Sequence, residues 1–316
     1  SIVAAAALST SIAHAQTTWP AKPVRFIVSQ TAGSAPDIIA RLVADRLAKP
    51  LGQPIIVDNR PGGGNVIGSQ AAARAPADGY TFFFATAAAL VTNPYTFKSL
   101  PYDPVKDFVP VGMIGKSPFL LAAHPSLPAK SFADIIALDK ATPGKLTFAS
   151  DGPKGFAGML GEWLNKVAGT RIVQVPYNVN SQGVQDTVAG RTNLTIQAIA
   201  PVLQFIRRGE LKPIGVSSAA RYPGQPDVPA LSETLPGFAF VGWFAIVAPT
   251  GTPNEAILKL NRDLDAVLKS EEMIAKLREF GFYNDGAETP EATGAFIRAE
   301  YASWGKVVKE IGIEPE

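Results

Sequence analysis

Cysteine is absent from the 316 residues, which excludes disulfide staples, thiolate metal sites and cysteine nucleophiles together. Histidine is almost absent too, being limited to His14 and His124. A serine hydrolase needs a histidine base beside its nucleophile, and His124 stands in Ala122-Ala123-His124-Pro125 with no Gly-x-Ser-x-Gly elbow to serve. It reads as a histidine at a strand end. Zinc and iron sites built on histidine or cysteine fail for want of ligands, and the carboxylates are scattered without calcium-loop spacing. Neither sign of charge is in excess: 29 Lys plus Arg face 27 Asp plus Glu with no basic run, so a nucleic-acid partner has no electrostatic footprint. No stretch reaches the roughly 18 consecutive apolar residues that a membrane helix needs. An enzyme, a resident cofactor, a metal site and nucleic acid are therefore all disfavoured.

What is present is apolar matter and glycine-bearing turns. Hydrophobic residues make up 47% and charged residues 18%, a globular composition, and a chain of this length is expected to divide into about two domains. At the start, Ile2-Val3-Ala4-Ala5-Ala6-Ala7-Leu8 followed by Ala13-His14-Ala15 reads as the apolar region and A-x-A cleavage site of a signal peptide over residues 1–15. A periplasmic location, with a mature chain beginning near Gln16, is expected.

From Val24 the sequence alternates strands and helices. Val24 to Val28 reads as a strand, Ser29 to Ser34 as a loop, Asp37 to Leu47 as a helix and Pro54 to Asp58 as the next strand. The rhythm recurs through Val66–Arg74 and Tyr80–Ala85, and again through Lys145–Ser150, the helix ending near Val167, Thr170–Pro176, Ser181–Ala189 and Thr192–Ala198. Such alternation predicts parallel strands in an α/β architecture. Phe119–His124 and Phe240–Ala248 are expected to cross between two lobes, giving residues 16–124 plus 241–316 as one and 125–240 as the other. Two long helices, about Asn254–Phe280 and Thr289–Glu310, close the chain.

Three glycine clusters invite a phosphate-binding reading. Pro61-Gly62-Gly63-Gly64-Asn65-Val66-Ile67-Gly68 puts Ile67 where a dinucleotide loop needs its third glycine. Gly115-Lys116-Ser117 and Gly144-Lys145-Leu146 lack the rest of a P-loop, and all three read better as structural turns. Small-residue loops at strand-to-helix junctions remain. Backbone N–H groups at a helix start are unpaired and carry the positive end of the helix dipole, so they attract an anion. Ser29-Gln30-Thr31-Ala32-Gly33-Ser34 is one such loop; Ser150-Asp151-Gly152-Pro153-Lys154-Gly155-Phe156 is another, and Thr86 with Ala87 begins a third wall. Each alone is more commonly a plain turn.

Taken in order, several segments resemble the Bug family, the substrate-binding proteins of tripartite tricarboxylate transporters. They are Trp19-Pro-Ala-Lys-Pro-Val-Arg-Phe-Ile-Val28, Asp37-Ile-Ile-Ala-Arg41, Val57-Asp-Asn-Arg-Pro-Gly-Gly-Gly-Asn-Val-Ile-Gly68, Ala77-Asp-Gly-Tyr-Thr81, Leu100-Pro-Tyr-Asp-Pro104, Pro143-Gly-Lys-Leu-Thr-Phe-Ala-Ser150, Val175-Pro-Tyr177 and Ala248-Pro-Thr-Gly-Thr-Pro253. The resemblance implies a type II periplasmic-binding-protein-like fold with two α/β lobes, two crossover strands and a ligand cleft between them. It also implies a monomeric receptor that binds a small carboxylate and serves the membrane subunits of a tripartite tricarboxylate transporter. It implies carboxylate recognition by the first loop and by the loop after Ser150, and with the residues read above the expected contacts are Gln30, Thr31, Ala32, Gly33, Ser34, Thr86, Ala87, Asp151, Gly152, Lys154, Gly155, Phe156, Tyr177, Gln197 and Trp243. Gln197 stands where many members carry an aspartate, which argues against an amino-acid ligand. Lys154 with Gln30 and Ser34, and Phe156 with Trp243 as flat walls, suggest an aromatic dicarboxylate such as terephthalate. An aliphatic di- or tricarboxylate, or a sensor role toward a membrane kinase, is the alternative.

Overall fold

The structure, a computed structural model, describes residues 19–177 and 179–315, so the expected signal segment at residues 1–15 lies outside the described residues. The chain opens with β1 (Val24–Val28), α1 (Ala35–Leu51), β2 (Ile55–Asn59), α2 (Val66–Ala73) and β3 (Thr81–Thr86). β-branched and aromatic side chains buried almost continuously on both faces make β1 and β3 parallel-sheet strands; apolar spacing at Ile39, Val43 and Leu47 makes α1 a helix with one buried face. Fully burying each such side chain stabilises the fold by about 1.5–3 kcal/mol. Gly52 ends α1 in the left-handed conformation, at φ 68°, where glycine pays no Cβ penalty. A π-helical turn, Ala88–Thr92, and α3 (Asn93–Thr96) lead to the long strand β4 (Phe108–Ala123).

The middle of the chain supplies α4 (Phe132–Ala141), β5 (Thr147–Ser150), α5 (Phe156–Ala168), β6 (Val173–Pro176), α6 (Asn180–Val188), β7 (Leu194–Ala198), α7 (Ile199–Arg207) and β8 (Lys212–Val216). It returns through β9 (Val241–Pro249) and ends in α8 (Asn254–Leu268), α9 (Glu271–Glu279) and α10 (Pro290–Ile311). Among the described residues the strands join in the order β2-β1-β3-β9-β4-β7-β5-β6, with β8 also on β4.

Two α/β lobes share this path. β1, β2 and β3 are mutually parallel, as are β5, β6 and β7, whereas β9 and β4 run antiparallel to their neighbours. β4 belongs to both lobes. Its residues from Phe108 to Pro118 pair with β9, and those from Phe119 to Ala123 pair with β7 and β8. One lobe packs Phe26, Phe82 and Phe84 against α1 and α8, and the other packs Phe148 and Ile196 against Leu160 and Leu164 of α5.

Two sequence expectations need correction. The first crossover strand begins at Phe108 instead of Phe119, because Pro110, Gly112 and Gly115 hide a strand whose register shifts between Pro110 and Gly112 and between Met113 and Gly115. Gly115-Lys116-Ser117 is therefore strand interior, with no helix after it. The expected helix Asn254–Phe280 is broken at Ser270, whose Oγ accepts the Met273 N–H at 3.3 Å and caps a new helix.

Candidate ligand-binding site

Parallel strands place every following loop at the same sheet edge, and ligands of open α/β sheets bind in the crevice beyond the carboxyl ends. Ser29–Ser34 follows β1, Thr86–Ala87 ends β3, Ser150–Phe156 follows β5, and Gln197 stands near the end of β7. The expected site residues are thus gathered at the carboxyl ends of both parallel sets. Tyr177 follows β6 at the same edge, and its N–H extends the ladder to Ser150 O at 2.9 Å.

The first loop is pinned from beneath. Gly33 adopts φ 81°, and its N–H donates to Asp37 Oδ2 at 2.8 Å. Asp37, buried in the first turn of α1, also accepts from Arg41 Nε at 2.9 Å and Asn59 Nδ2 at 3.0 Å. Burial alone pushes its carboxyl up, but the hydrogen bonds from Arg41, Gly33 and Asn59, with the Arg41 charge, hold it below the ordinary carboxylate range. Asn59 Nδ2 reaches Gln30 O at 3.0 Å as well, and Ser29 Oγ donates to Asn65 Oδ1 at 3.0 Å. Asp37, Arg41 and Asn59 lie within the family-like segments, and the i,i+4 spacing of Asp37 and Arg41 is the sequence signal for this pinning. Thr31, Ala32 and Gly33 stay exposed above this base. Ser34 holds the extended conformation of an N-cap, yet its Oγ makes no cap bond and is buried without a hydrogen-bond partner.

The second loop folds back on itself. Asp151 Oδ1 accepts the Gly158 N–H at 3.0 Å and Oδ2 the Ala157 N–H at 3.4 Å, so an internal carboxylate occupies the start of α5. A Cβ on Gly155 would fall 2.2 Å from that carboxyl group, which is why the loop needs glycine there. Burial pushes the Asp151 carboxyl up, against the pull of these N–H groups. This corrects the expectation that the α5 donors stand free for a ligand. Gly152 turns the loop at φ 95° and donates to Ser150 Oγ at 3.2 Å, while Gln174 Nε2 donates to the same oxygen at 2.6 Å. Lys154 is half-buried and already engaged.

The aromatic walls are also placed otherwise than expected. Phe156 stacks on Phe119 at 4.9 Å and meets Phe240 and Trp304 at 4.5 and 5.0 Å, joining an aromatic cluster beside the crossing strands. Trp243 is 1% exposed and belongs to the core; its Nε1 donates to Glu300 Oε2 at 3.3 Å and its ring meets Phe296 edge-on. Thr86 and Ala87 are buried, and Thr86 Oγ1 accepts the Ala89 N–H at 3.3 Å, closing the π-helical turn. Tyr177 donates its hydroxyl to Asp186 Oδ2 at 2.9 Å; burial and that carboxylate push its pKa up. Gln197 is 3% exposed on β7, and its Nε2 has no hydrogen-bond partner. Ser117 Oγ, where β4 leaves one lobe for the other, is likewise unpartnered. Such orphaned groups are rare in folded proteins, and each asks for an explanation.

Other surfaces offer less. An apolar cavity of about 340 Å³ lies beneath α10, lined by Leu90, Phe108, Pro110, Val247, Ile297 and Tyr301. His124 shares a hydrogen bond with Ser126 Oγ at 2.7 Å, two residues along the same turn. Among the described residues no group of three or more metal-ligating side chains is assembled, and no helix is long and apolar enough to cross a membrane.

The model of the tripartite tricarboxylate transporter family receptor matches residues 39–313. The chain belongs to this receptor family. Protein BugT of Bordetella pertussis is 36% identical over 301 residues, covering 93% of this chain and 91% of BugT. Among solved structures, R. palustris Rpa4515 with adipate superposes with a TM-score of 0.82 at 35% identity, covering 94% of this chain and all of that one. MatC from Rhodopseudomonas palustris with bound malate gives 0.76 at 27% identity, covering 92% of this chain and all of MatC. The family is one of receptors, and the type II two-lobed fold inferred from the sequence is the one this receptor adopts.

Proposed function

We propose that this receptor is a periplasmic protein that captures a small carboxylate between its lobes and delivers it to the membrane subunits of a tripartite tricarboxylate transporter. The lobes are taken as residues 16–124 plus 241–316 and residues 125–240. One observation carries the reading: at the carboxyl ends of the two parallel strand sets, Ser34 Oγ and Gln197 Nε2 are buried polar atoms without partners. A hydroxyl and an amide NH2 both donate hydrogen bonds, so an oxygen-rich anion would satisfy both. That neighbouring receptors are described with adipate and with malate supports the same class. The finer reading, an aromatic dicarboxylate such as terephthalate, draws less support, since Phe156 and Trp243 pack against the protein's own aromatic rings and Asp151 holds the α5 donors.

Calorimetry against adipate, malate, terephthalate, citrate and glutamate tests the proposal. A one-to-one complex with a carboxylate lacking an amino group is expected. Ser34→Ala should weaken it about tenfold or more, because a hydrogen bond to a charged group contributes about 1.5–3 kcal/mol. Binding of glutamate alone, release of a chemical product, or unchanged affinity in Ser34→Ala would overturn the reading.

A further inference from the structure

In the second lobe two neighbouring strand ends carry opposite instructions to a ligand. The parallel register pairs Phe148 with Leu194 and Ala149 with Thr195, so Asp151, just past the end of β5, and Gln197, the penultimate residue of β7, stand two residues further on at the same level. Asp151 brings a carboxylate that spends itself on the N–H groups of Ala157 and Gly158. The positive end of the α5 dipole is neutralised by the chain's own anion, and a second carboxylate arriving there would meet like charge in a buried setting. The loop is built for this arrangement: a side chain at Gly155 would strike the Asp151 carboxyl group at 2.2 Å, and one at Gly158 would strike Gly152 O at 1.8 Å. Gln197, by contrast, offers a neutral donor. It is 3% exposed, and its Nε2 has no partner within the protein.

We propose that the second lobe receives the far end of the ligand as a neutral hydrogen-bond acceptor, with Asp151 excluding a second carboxylate and Gln197 donating to the acceptor. The ligand class is then a monocarboxylate bearing an ester, amide, ketone or hydroxyl oxygen at its far end. This rests on the carboxylate-receptor reading above and sharpens it: the first loop takes the charge, and the second lobe selects against a repeat of it. Asp151 is a specificity residue that need not touch the ligand; it acts by filling a place an anion would otherwise take.

The test is a matched series on one skeleton, titrated by calorimetry: adipate, its monomethyl ester and hexanoate, with terephthalate, its monomethyl ester and benzoate as the rigid counterpart. The wild-type chain should bind a monomethyl ester at least tenfold more tightly than the matching dicarboxylate. Asp151→Asn, which keeps an oxygen for one α5 N–H and removes the charge, should raise dicarboxylate affinity relative to the ester at least tenfold. Gln197→Leu should erase the advantage of the ester over the plain monocarboxylate. Preference for the dicarboxylate in the wild type, or a ratio unmoved by Asp151→Asn, would overturn the proposal while leaving the carboxylate-receptor reading intact. If no member of either series and none of the wider panel binds, that underlying reading fails instead. Thermal melting of each variant checks folding, and if Asp151→Asn does not fold, the wild-type ratio decides alone.

Discussion

Replacing Glu300 with glutamine removes a charge that the fold holds at a cost. Burial pushes the Glu300 carboxyl up, and neither the Trp243 N–H nor the Lys116 charge brings it back to the ordinary range. A raised pKa means the folded chain binds a proton more tightly than the unfolded chain, so stability falls as pH rises from the unfolded value through the folded one. Glu300→Gln keeps an oxygen for Trp243 and should melt at a higher temperature than the wild type at pH 7.5, with the gap narrowing at pH 5. A variant that melts lower at both pH values would contradict this. The residue scale is also where the sequence was least legible. Ser34 stands out in the sequence by its place in the loop before α1 and Gln197 by replacing an aspartate common in the family, but that their polar atoms lack partners emerges only when the surrounding chain is folded around them. Asp151 enters the expected site only as part of the loop Ser150–Phe156, whose backbone N–H groups suit an anion. Whether a loop turns its carboxylate outward or onto the helix behind it depends on Gly152, Gly155 and Gly158 acting together, which no single-residue rule captures.

At the scale of elements, close approach between helix and strand sets the tolerance for side chains. Gly161 lies on the buried face of α5, where an added Cβ would stand 2.3 Å from the Phe148 ring of β5. Gly161→Ala should therefore destabilise the chain by about 1–3 kcal/mol through overpacking, even though alanine favours a helix over glycine. A lowered urea midpoint with an unchanged slope is expected; an unchanged midpoint would show that the two elements part without cost. Strands with clean β-branched and aromatic runs were read well: Val24–Val28 is the strand the sequence indicated, and β3 and β9 differ from expectation by a residue or so. The first part of β4 is hidden in the sequence, since it carries proline and glycine at bulges within the stretch paired with β9. The split between α8 and α9 was signalled by Ser270 ahead of Glu271 and Glu272, an N-cap with acids in the first turn, but continuous amphipathic spacing masked it.

At the scale of the whole molecule, the α/β rhythm and the ordered series of family segments made the two-lobed fold readable, because parallel strands and crossover helices leave few topologies open. The identity of the ligand was far less readable, since it depends on which strand-end groups the chain satisfies internally and which it leaves for a partner. Ser34 Oγ and Gln197 Nε2, like Ser117 Oγ and Thr195 Oγ1, are buried without partners; in the proposed reading Ser34 and Gln197 meet the ligand from the two lobes, and closure on it is favoured only by contacts made in both. The most direct test is a crystal structure with the carboxylate that calorimetry selects. It should place one carboxylate within hydrogen-bonding distance of Ser34 and the far end of the ligand against Gln197, with Asp151 still on the start of α5. A ligand seated in the apolar cavity beneath α10, or touching one lobe only, would contradict the account.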